Sequence, residues 1–227
     1  MRFRFTNIYL VLLFLNVFMF FLQFVLGDGF TRSLLLVPGD VLARPWTLLS
    51  SMFLHGSGAH LLFNMYALLI FGGLIEQRIG SKRFLGVYLF AGLFAGILYS
   101  LFSSVPALGA SGAIMAVLGL AIMLLPHLKV LFFFVFPMSL RTAGIIFALI
   151  DIVGLFNPHS GVAHLAHLGG LFVGLVYGYY LLSLRKKFSK KFTARPSTSS
   201  RRFSSKKKDT IELSDEDIEE YLKNGRL

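Results

Sequence analysis

The sequence predicts an all-α membrane protein with six transmembrane helices and with both termini in the cytoplasm. Three observations favour this class. Hydrophobic residues make up 56% of the 227 residues and charged residues only 15%, whereas soluble domains contain about 25% charged residues. Six apolar stretches follow one another along the chain, most of them close to the roughly 17–25 residues that a spanning helix needs. The basic residues are distributed very unevenly between the two sides that these stretches would separate.

The six apolar stretches are expected to be helices, because an unpaired backbone group cannot face lipid. They are Ile8–Leu26, His60–Ile79, Phe84–Phe102, Ser111–Leu125, Leu140–Phe156 and Val162–Leu184. The first stretch is long for a signal peptide and no small-x-small cleavage site follows it, so we expect a retained anchor. A cleaved signal peptide is the alternative.

The basic residues predict the orientation. With the N-terminus inside, 20 of the 22 Lys and Arg residues are cytoplasmic, 13 of them from Arg185 onward, and only Arg32 and Arg44 lie outside. The second, fourth and sixth helices then run from the outer to the inner face. The net charge of +11 is concentrated in a tail that we expect to face membrane lipids rather than nucleic acid.

The composition divides the chain into three segments. Residues 1–184 form the predicted membrane domain, and residues 185–208 are a basic linker with too little apolar surface to fold. Residues 209–227 are predicted to form a short acidic amphipathic helix, with Ser214 at its start. Two connections are expected to lie in the membrane interface: residues 27–59 with Trp46 outside, and Val130–Pro137 inside.

Polar side chains inside a membrane are costly and therefore indicate function. The candidates are His60, Asn64, Glu76, Ser111, Asp151, His164 and His167. Counted from the inner ends of their helices, Asn64 and Ser111 lie roughly 21 Å and His167 roughly 26 Å up a hydrocarbon core about 30 Å thick. These three groups are thus predicted to share one layer near the outer surface. The fourth helix is too short to span, so Ser111 lies below that surface at a helix N-terminus, where free N–H groups stabilise an anion.

Small residues predict close contact between the fourth and sixth helices. The first strip comprises Gly112, Ala116 and Gly119, and the second, on the stripe of His167, comprises Gly170, Gly174 and Gly178. Such contact allows a hydrogen bond of about 2.6–3.2 Å between Ser111 and His167. His60 and Asn64 project together from the second helix, and both can donate hydrogen bonds to an oxyanion.

These motifs resemble those of the rhomboid intramembrane serine proteases. Residues 109–112 (GASG) are similar to the GxSG nucleophile motif, residues 166–174 (AHLGGLFVG) to the AHxxGxxxG motif, and residues 60–64 (HLLFN) to the HxxxN motif. The resemblance covers about residues 5–184 and implies a six-helix rhomboid-like bundle. Two positions depart from the family pattern: Trp46 is followed by Thr47 rather than Arg, and Met115 stands where some members have Tyr.

The resemblance implies a role for each site residue. Ser111 would be the nucleophile and His167 the general base and later acid, with no acidic third member. The oxyanion would be held by His60, Asn64 and the Ser111 backbone N–H. The motif glycines Gly109, Gly112, Gly170 and Gly174 would support this arrangement. The implied substrates are single-span membrane proteins, which enter past the fifth helix and residues 157–161 and are cut near the outer boundary.

Other functions are less favoured by the residues. A catalytically silent rhomboid-like protein that binds membrane clients is the main alternative. A transporter or channel would spread its ionisable groups through the bilayer, whereas here they cluster near one face. A metal site among His55, His159, His164 and His167 lacks an HExxH motif or a nearby carboxylate, so we expect no metal.

The remaining expectations concern cofactors, two acidic residues and location. No cofactor is expected, and the absence of cysteine excludes disulfides and thiolate chemistry. Glu76 is expected to be structural. Asp151 is left open as a buried neutral group, a snorkelling group or one exposed to the substrate entrance. A multi-pass position in a bacterial inner membrane is predicted.

Overall fold

The computed structural model describes residues 7–132, 136–157 and 160–193. Six long helices account for most of this part of the chain. They are α1 (Ile8–Leu34), α2 (Gly58–Ile79), α3 (Ser81–Phe102), α4 (Ser111–Leu124), α5 (Leu140–Gly154) and α6 (His164–Thr193). Within α2, a π-helical turn at Leu68–Gly72 separates α-helical parts at Gly58–Ala67 and Gly73–Ile79.

The lengths of these helices fit a membrane-spanning bundle. Among the described residues, four segments are by length and composition able to cross a membrane: Ile8–Leu34, Gly58–Ile79, Ser81–Phe102 and His164–Lys186. Large apolar side chains lie exposed on these helices, among them Phe24 and Phe102. The helices α4 and α5 are shorter, with 14 and 15 residues. The fold is therefore a helical membrane bundle with two short helices among longer ones.

The ends of two predicted helices differ clearly from the structure. Helix α1 continues to Leu34 across a break at Gly27, whose positive φ of 74° interrupts the regular helix. Helix α6 continues to Thr193, into the predicted linker, because the residues after Leu184 include several with good helix propensity. The rest of the predicted linker and the acidic tail, residues 194–227, lie outside the described residues.

The connections contain further local structure. Strands β1 (Lys129–Phe132) and β2 (Phe136–Ser139) pair antiparallel where an interfacial segment was expected, so the fold is not purely α-helical. Val130, Phe132 and Phe136 belong to the β-branched and aromatic types that are enriched in strands. The outer connection contains helical turns at Pro38–Asp40, Thr47–Ser50 and Ser51–Phe53.

Helix α4 lies at the centre of the bundle. All of its residues from Gly112 to Ala121 are buried, and the helix is apolar on every side. Such a pattern is typical of a helix surrounded by others. Its neighbour α6 approaches so closely that a Cβ added at Gly170 would lie 1.9 Å from the carbonyl oxygen of Gly112, and one at Gly174 would lie 2.1 Å from that of Ala116. These glycines therefore bring the two backbones into direct contact, as small residues do in membrane bundles.

Glu76 joins the adjacent ends of three helices: the start of α1, the end of α2 and the start of α3. Its carboxylate accepts hydrogen bonds from the backbone N–H groups of Ile8 and Tyr9, at 2.9 and 2.8 Å, and from the Ser81 hydroxyl at 2.5 Å. The first N–H groups of a helix have no intrahelical acceptor. The buried carboxylate satisfies two of them at the start of α1, in agreement with the structural role expected for Glu76.

Candidate active site

Ser111 and His167 are in direct contact. The Nε2 atom of His167 lies 2.8 Å from the Oγ atom of Ser111, although the residues are 56 positions apart in the chain. The distance is within the range expected between a nucleophile and its base. The contact between Gly170 and Gly112 one turn away fixes the separation of α4 and α6. The predicted approach of the two small-residue strips thus places the hydroxyl against the imidazole.

The turn before Ser111 depends on Gly109. Its φ of +129° lies in a region that L side chains rarely adopt, and its N–H donates to the Ser51 carbonyl at 2.9 Å. A Cβ at this position would meet two atoms of the His60 ring at 2.9 Å and would lie 3.7 Å from Ser111 Oγ. Gly109 therefore allows the His60 ring to lie beside the hydroxyl, while Ser111 begins α4 with an N–H group free of the helix.

His60 and Asn64 occupy different positions relative to this hydroxyl. The backbone N–H of His60 donates to Ser57 Oγ, which caps α2. The His60 ring packs against Gly109 and its Nδ1 is the acceptor of a long, 3.5 Å contact from Gly56 N–H, which leaves Nε2 as the donor. Asn64 donates through Nδ2 to the His60 carbonyl at 3.1 Å. In the described contacts Asn64 touches neither Ser111 nor His167, and one of its amide hydrogens is left for another acceptor.

A third polar group, Asp151 of α5, lies against His167. Its Oδ1 atom accepts from His167 Nδ1 at 3.0 Å and from His164 Nδ1 at 2.7 Å. Only 4% of Asp151 is exposed. The resemblance implied no acidic third member, and the structure differs on this point. Burial excludes two of the three alternatives left open for Asp151, snorkelling and exposure at an entrance. The third, a buried neutral group, fits less well than a buried carboxylate, because one oxygen accepts two imidazole N–H groups.

The premise used against a metal site was also wrong. No carboxylate was expected near the histidines, yet Asp151, His164 and His167 place one potential ligand atom each within 4.8 Å of one another. These atoms contact one another directly, since Asp151 Oδ1 lies 2.7 Å from His164 Nδ1 and 3.0 Å from His167 Nδ1. His55 is not part of this cluster, and His159 lies outside the described residues.

The depth of Asp151, though not its contact with His167, could have been predicted from the sequence. Asp151 lies three residues before the end of α5, and His167 lies three residues after the start of α6. Two helices joined by a short connection run antiparallel, so residues equally far from the connection lie at the same depth. The signal that was missed is that Asp151 and His167 lie equally far from the connection between α5 and α6.

A small cleft leads to the hydroxyl. It is lined by the outer connection and by the start of α4 and α6, including Ser51, Leu108, Ser111, Gly112 and Ala166. Its volume is about 40 Å³, whereas one water molecule needs about 10–15 Å³ on the same kind of measure. The cleft therefore has room for water beside Ser111.

The two departures from the family motifs have local explanations. Arg44 donates to the carbonyls of Arg32 and Ser33 at 2.7 and 2.6 Å, and Trp46 Nε1 donates to Ser33 at 3.3 Å. Arg44 and Trp46 together thus hold the outer connection without a Trp-Arg pair. Met115 is buried in the apolar core, and the side chain that orients the His167 ring in the structure is Asp151.

The fold and the site define a class: a multi-pass helical membrane protein with a serine–histidine pair in a cleft between its helices. Comparison with known proteins then identifies the family. The Rhomboid domain matches residues 42–184, and the chain belongs to the rhomboid family, an intramembrane protease family.

Three relatives show the extent of the similarity. The chain is 37% identical to Rhomboid protease GluP of Bacillus subtilis over 169 residues, which are 70% of this chain and 32% of that protein. It is 32% identical to Rhomboid protein 1, mitochondrial, of Saccharomyces cerevisiae, over 67% of this chain and 46% of the relative. It is 37% identical to Rhomboid protease GlpG of Haemophilus influenzae, over 62% of this chain and 72% of the relative. The chain thus spans less than half the length of the first two relatives.

Proposed function

We propose that this protein is an intramembrane serine endopeptidase in which Ser111 is the nucleophile and His167 is the general base. The observation that carries the proposal is the 2.8 Å contact between Ser111 Oγ and His167 Nε2 within a bundle of apolar helices. A serine hydroxyl becomes a strong nucleophile only when a base removes its proton as it attacks. Two relatives are named as rhomboid proteases.

The proposed reaction begins with attack of Ser111 Oγ on a peptide carbonyl while its proton moves to His167 Nε2. The tetrahedral intermediate collapses as His167 gives this proton to the leaving amine, so the C–N bond breaks and an acyl-enzyme remains. Water from the cleft then attacks the ester with His167 again as base, and Ser111 regains its proton. The cycle consumes one water for each peptide bond and needs no cofactor or metal.

Three groups are proposed to stabilise the oxyanion. The Ser111 N–H lies at the start of α4, where backbone donors are unpaired and the helix dipole favours negative charge. The His60 ring lies beside the hydroxyl across Gly109. The second amide hydrogen of Asn64 completes the set. Loss of one such donor typically lowers the rate about 10²–10³-fold.

The proposed substrates are single-span membrane proteins cut near the outer side of the bilayer. The bundle is proposed to span the membrane six times with both termini cytoplasmic, because that orientation puts 20 of 22 basic residues inside. Ser111 starts a helix of 14 residues, about 21 Å long, and therefore lies below the outer surface. Small or helix-breaking substrate residues would ease unwinding into the cleft.

The domain limits and the location are proposed from the sequence. Residues 1–184 form the membrane domain, residues 185–208 a basic segment that contacts membrane lipids, and residues 209–227 an acidic helix. Six of the similar proteins are named as mitochondrial and two are bacterial. We propose the bacterial inner membrane as the cellular location, which is the location that the sequence predicts.

The test is labelling of purified protein with a fluorophosphonate, together with cleavage of a model single-span substrate in proteoliposomes. We expect labelling and cleavage in the wild type and loss of both in Ser111→Ala. His167→Ala should abolish cleavage. The matched control is Ser183→Ala, which should behave as the wild type. Ser183 is a half-buried serine of α6, 16 residues beyond His167, whose hydroxyl donates to the Tyr179 carbonyl.

Two outcomes would contradict the proposal. Full cleavage by Ser111→Ala would exclude this nucleophile. A folded wild type that is neither labelled nor active on several single-span substrates would favour the catalytically silent, client-binding alternative.

A further inference from the structure

Asp151 is buried in a part of α5 that is otherwise largely exposed. Its neighbours Ile150, Ile152 and Val153 are 53%, 45% and 69% exposed, whereas Asp151 is 4% exposed. A carboxylate within a membrane bundle is costly unless polar groups surround it. Here a single oxygen, Oδ1, accepts hydrogen bonds from two imidazoles of α6. The carboxylate therefore forms a specific contact with the proposed base.

We propose that Asp151 is a positioning residue for His167, so that the site acts as a serine–histidine–aspartate triad. This inference rests on the proposed function and goes beyond the two-residue site that the family resemblance implies. A carboxylate oxygen accepts but does not donate, so the hydrogen in the 3.0 Å contact lies on His167 Nδ1. In the neutral ring Nε2 then carries no hydrogen, and it is this atom that faces Ser111 Oγ. Asp151 thus selects the tautomer that can accept the serine proton.

The charge of Asp151 also matters during the reaction. When the Ser111 proton moves to Nε2, the ring becomes an imidazolium whose Nδ1–H still donates to Asp151 Oδ1. The positive charge forms next to a buried carboxylate that is 4% exposed, where their attraction is stronger than in solution. The proton stays on His167 until the leaving amine takes it, and Asp151 itself is not protonated, as in other aspartate-containing triads.

His164 holds the carboxylate in place. Its Nδ1 lies 2.7 Å from Asp151 Oδ1, while its Nε2 is buried and has no hydrogen-bond partner in the described part of the chain. A hydrogen on that nitrogen would be buried without an acceptor, so the neutral ring with its hydrogen on Nδ1 fits the site. The ring packs against Gly154, where an added Cβ would lie 2.3 Å from it. His164 therefore donates to Asp151 and holds it in place, while only His167 contacts the Ser111 hydroxyl.

A purely structural role makes different predictions. If Asp151 only joined α5 to α6, removing His164, which makes the shorter contact, would have effects like those of removing Asp151. Both variants would then lower thermal stability, and the catalytic rate only through it. The triad instead predicts that Asp151 affects kcat far more than His164 does, because only Asp151 contacts the base.

The test compares Asp151→Asn, Asp151→Ala and His164→Gln in full-length protein, with Asp40→Asn of the outer connection as the carboxylate control. Asparagine keeps an acceptor oxygen and the size of the side chain but removes the charge. Measurements are kcat and KM for a single-span substrate, the rate of fluorophosphonate labelling of Ser111, and Tm in detergent. In ¹⁵N-histidine spectra of wild type and Asp151→Asn, the signals of His167 report its tautomer.

We expect Asp151→Asn to lower kcat by about 10- to 100-fold, at or below the roughly 10²–10⁴-fold that a positioned general base contributes. KM should stay within about twofold, because Asp151 acts through the base and not through substrate binding. The kcat of Asp151→Ala should fall at least as far as that of Asp151→Asn, and the kcat of His164→Gln should fall less than about tenfold. The ¹⁵N spectra should show the Nδ1–H tautomer of His167 in the wild type and a tautomer mixture in Asp151→Asn.

Several outcomes would overturn the inference. A wild-type kcat in folded Asp151→Asn, or equal losses in Asp151→Asn and His164→Gln that follow Tm, would leave Asp151 with a structural role only. Loss of activity with EDTA and its recovery with Zn²⁺ would assign the cluster to a metal ion. In each case Ser111-dependent labelling of the wild type would still support the proposed function, whereas its absence would reject the proposed function itself.

Discussion

Replacement of Gly170 by alanine tests whether the contact between α4 and α6 sets the geometry of the site. The added Cβ would lie 1.9 Å from the carbonyl oxygen of Gly112, and real Cβ atoms essentially never approach closer than 3.0 Å. The atom it meets is backbone, which cannot turn aside as a side chain can. The two helices must therefore separate locally by at least 1.1 Å, the difference between these two distances.

This separation acts directly on the catalytic pair. Gly112 follows Ser111, and Gly170 lies one turn from His167. A rigid displacement would lengthen the 2.8 Å contact between Ser111 Oγ and His167 Nε2 to about 3.9 Å, beyond hydrogen-bonding range. A misplacement of about 1 Å can cost about 10²-fold in rate, and overpacking costs about 1–3 kcal/mol of stability. We therefore expect Gly170→Ala to lower kcat/KM by about 10²-fold.

The assay is substrate cleavage in proteoliposomes, with fluorophosphonate labelling and Tm measured in parallel. Gly86→Ala is the matched control, since Gly86 is also helical and a Cβ there would meet nothing within 4 Å. It should keep the wild-type rate. Wild-type cleavage by folded Gly170→Ala would show that the geometry of the pair does not depend on this contact, and would refute the reasoning.

Three further predictions follow from other parts of the site and bundle. Gly109→Ala should reduce Ser111 labelling at least tenfold, because φ is +129° and the new Cβ would lie 2.9 Å from the His60 ring; wild-type labelling would contradict this. Glu76→Gln should lower the free energy of unfolding by about 1–2 kcal/mol, as loss of a helix cap does, without changing KM; an unchanged Tm would count against it. Burial lowers the pKa of His55 from 6.5 to about 4, so the unfolded chain binds the extra proton first as pH falls. Stability should therefore decrease between pH 6.5 and 4 in the wild type, and less so in His55→Gln; equal pH dependence of Tm in the two proteins would refute this.

Asp151 shows why part of the site could not be read from the sequence. The sequence marked Asp151, His164 and His167 as costly polar groups, but the resemblance to a two-residue site left the acid without a partner. Which ring nitrogen meets which oxygen depends on how α5 is rotated against its neighbours. That rotation is set by the packing of α5 on α4 and α6 and not by the sequence of α5 alone.

The chain by itself determined the class of protein and the pair at its centre. Apolar length specifies helices in lipid, because unpaired backbone groups are not tolerated there, and three motifs with the order and spacing of one family predicted that Ser111 and His167 lie together. The tertiary structure decided what those local rules leave free: the pairing of β1 with β2 and the contact of Asp151 with both histidines. These features depend on contacts between residues distant in sequence or on how helices and connections pack. Periodicity and spacing describe one helix at a time and contain no information about such contacts.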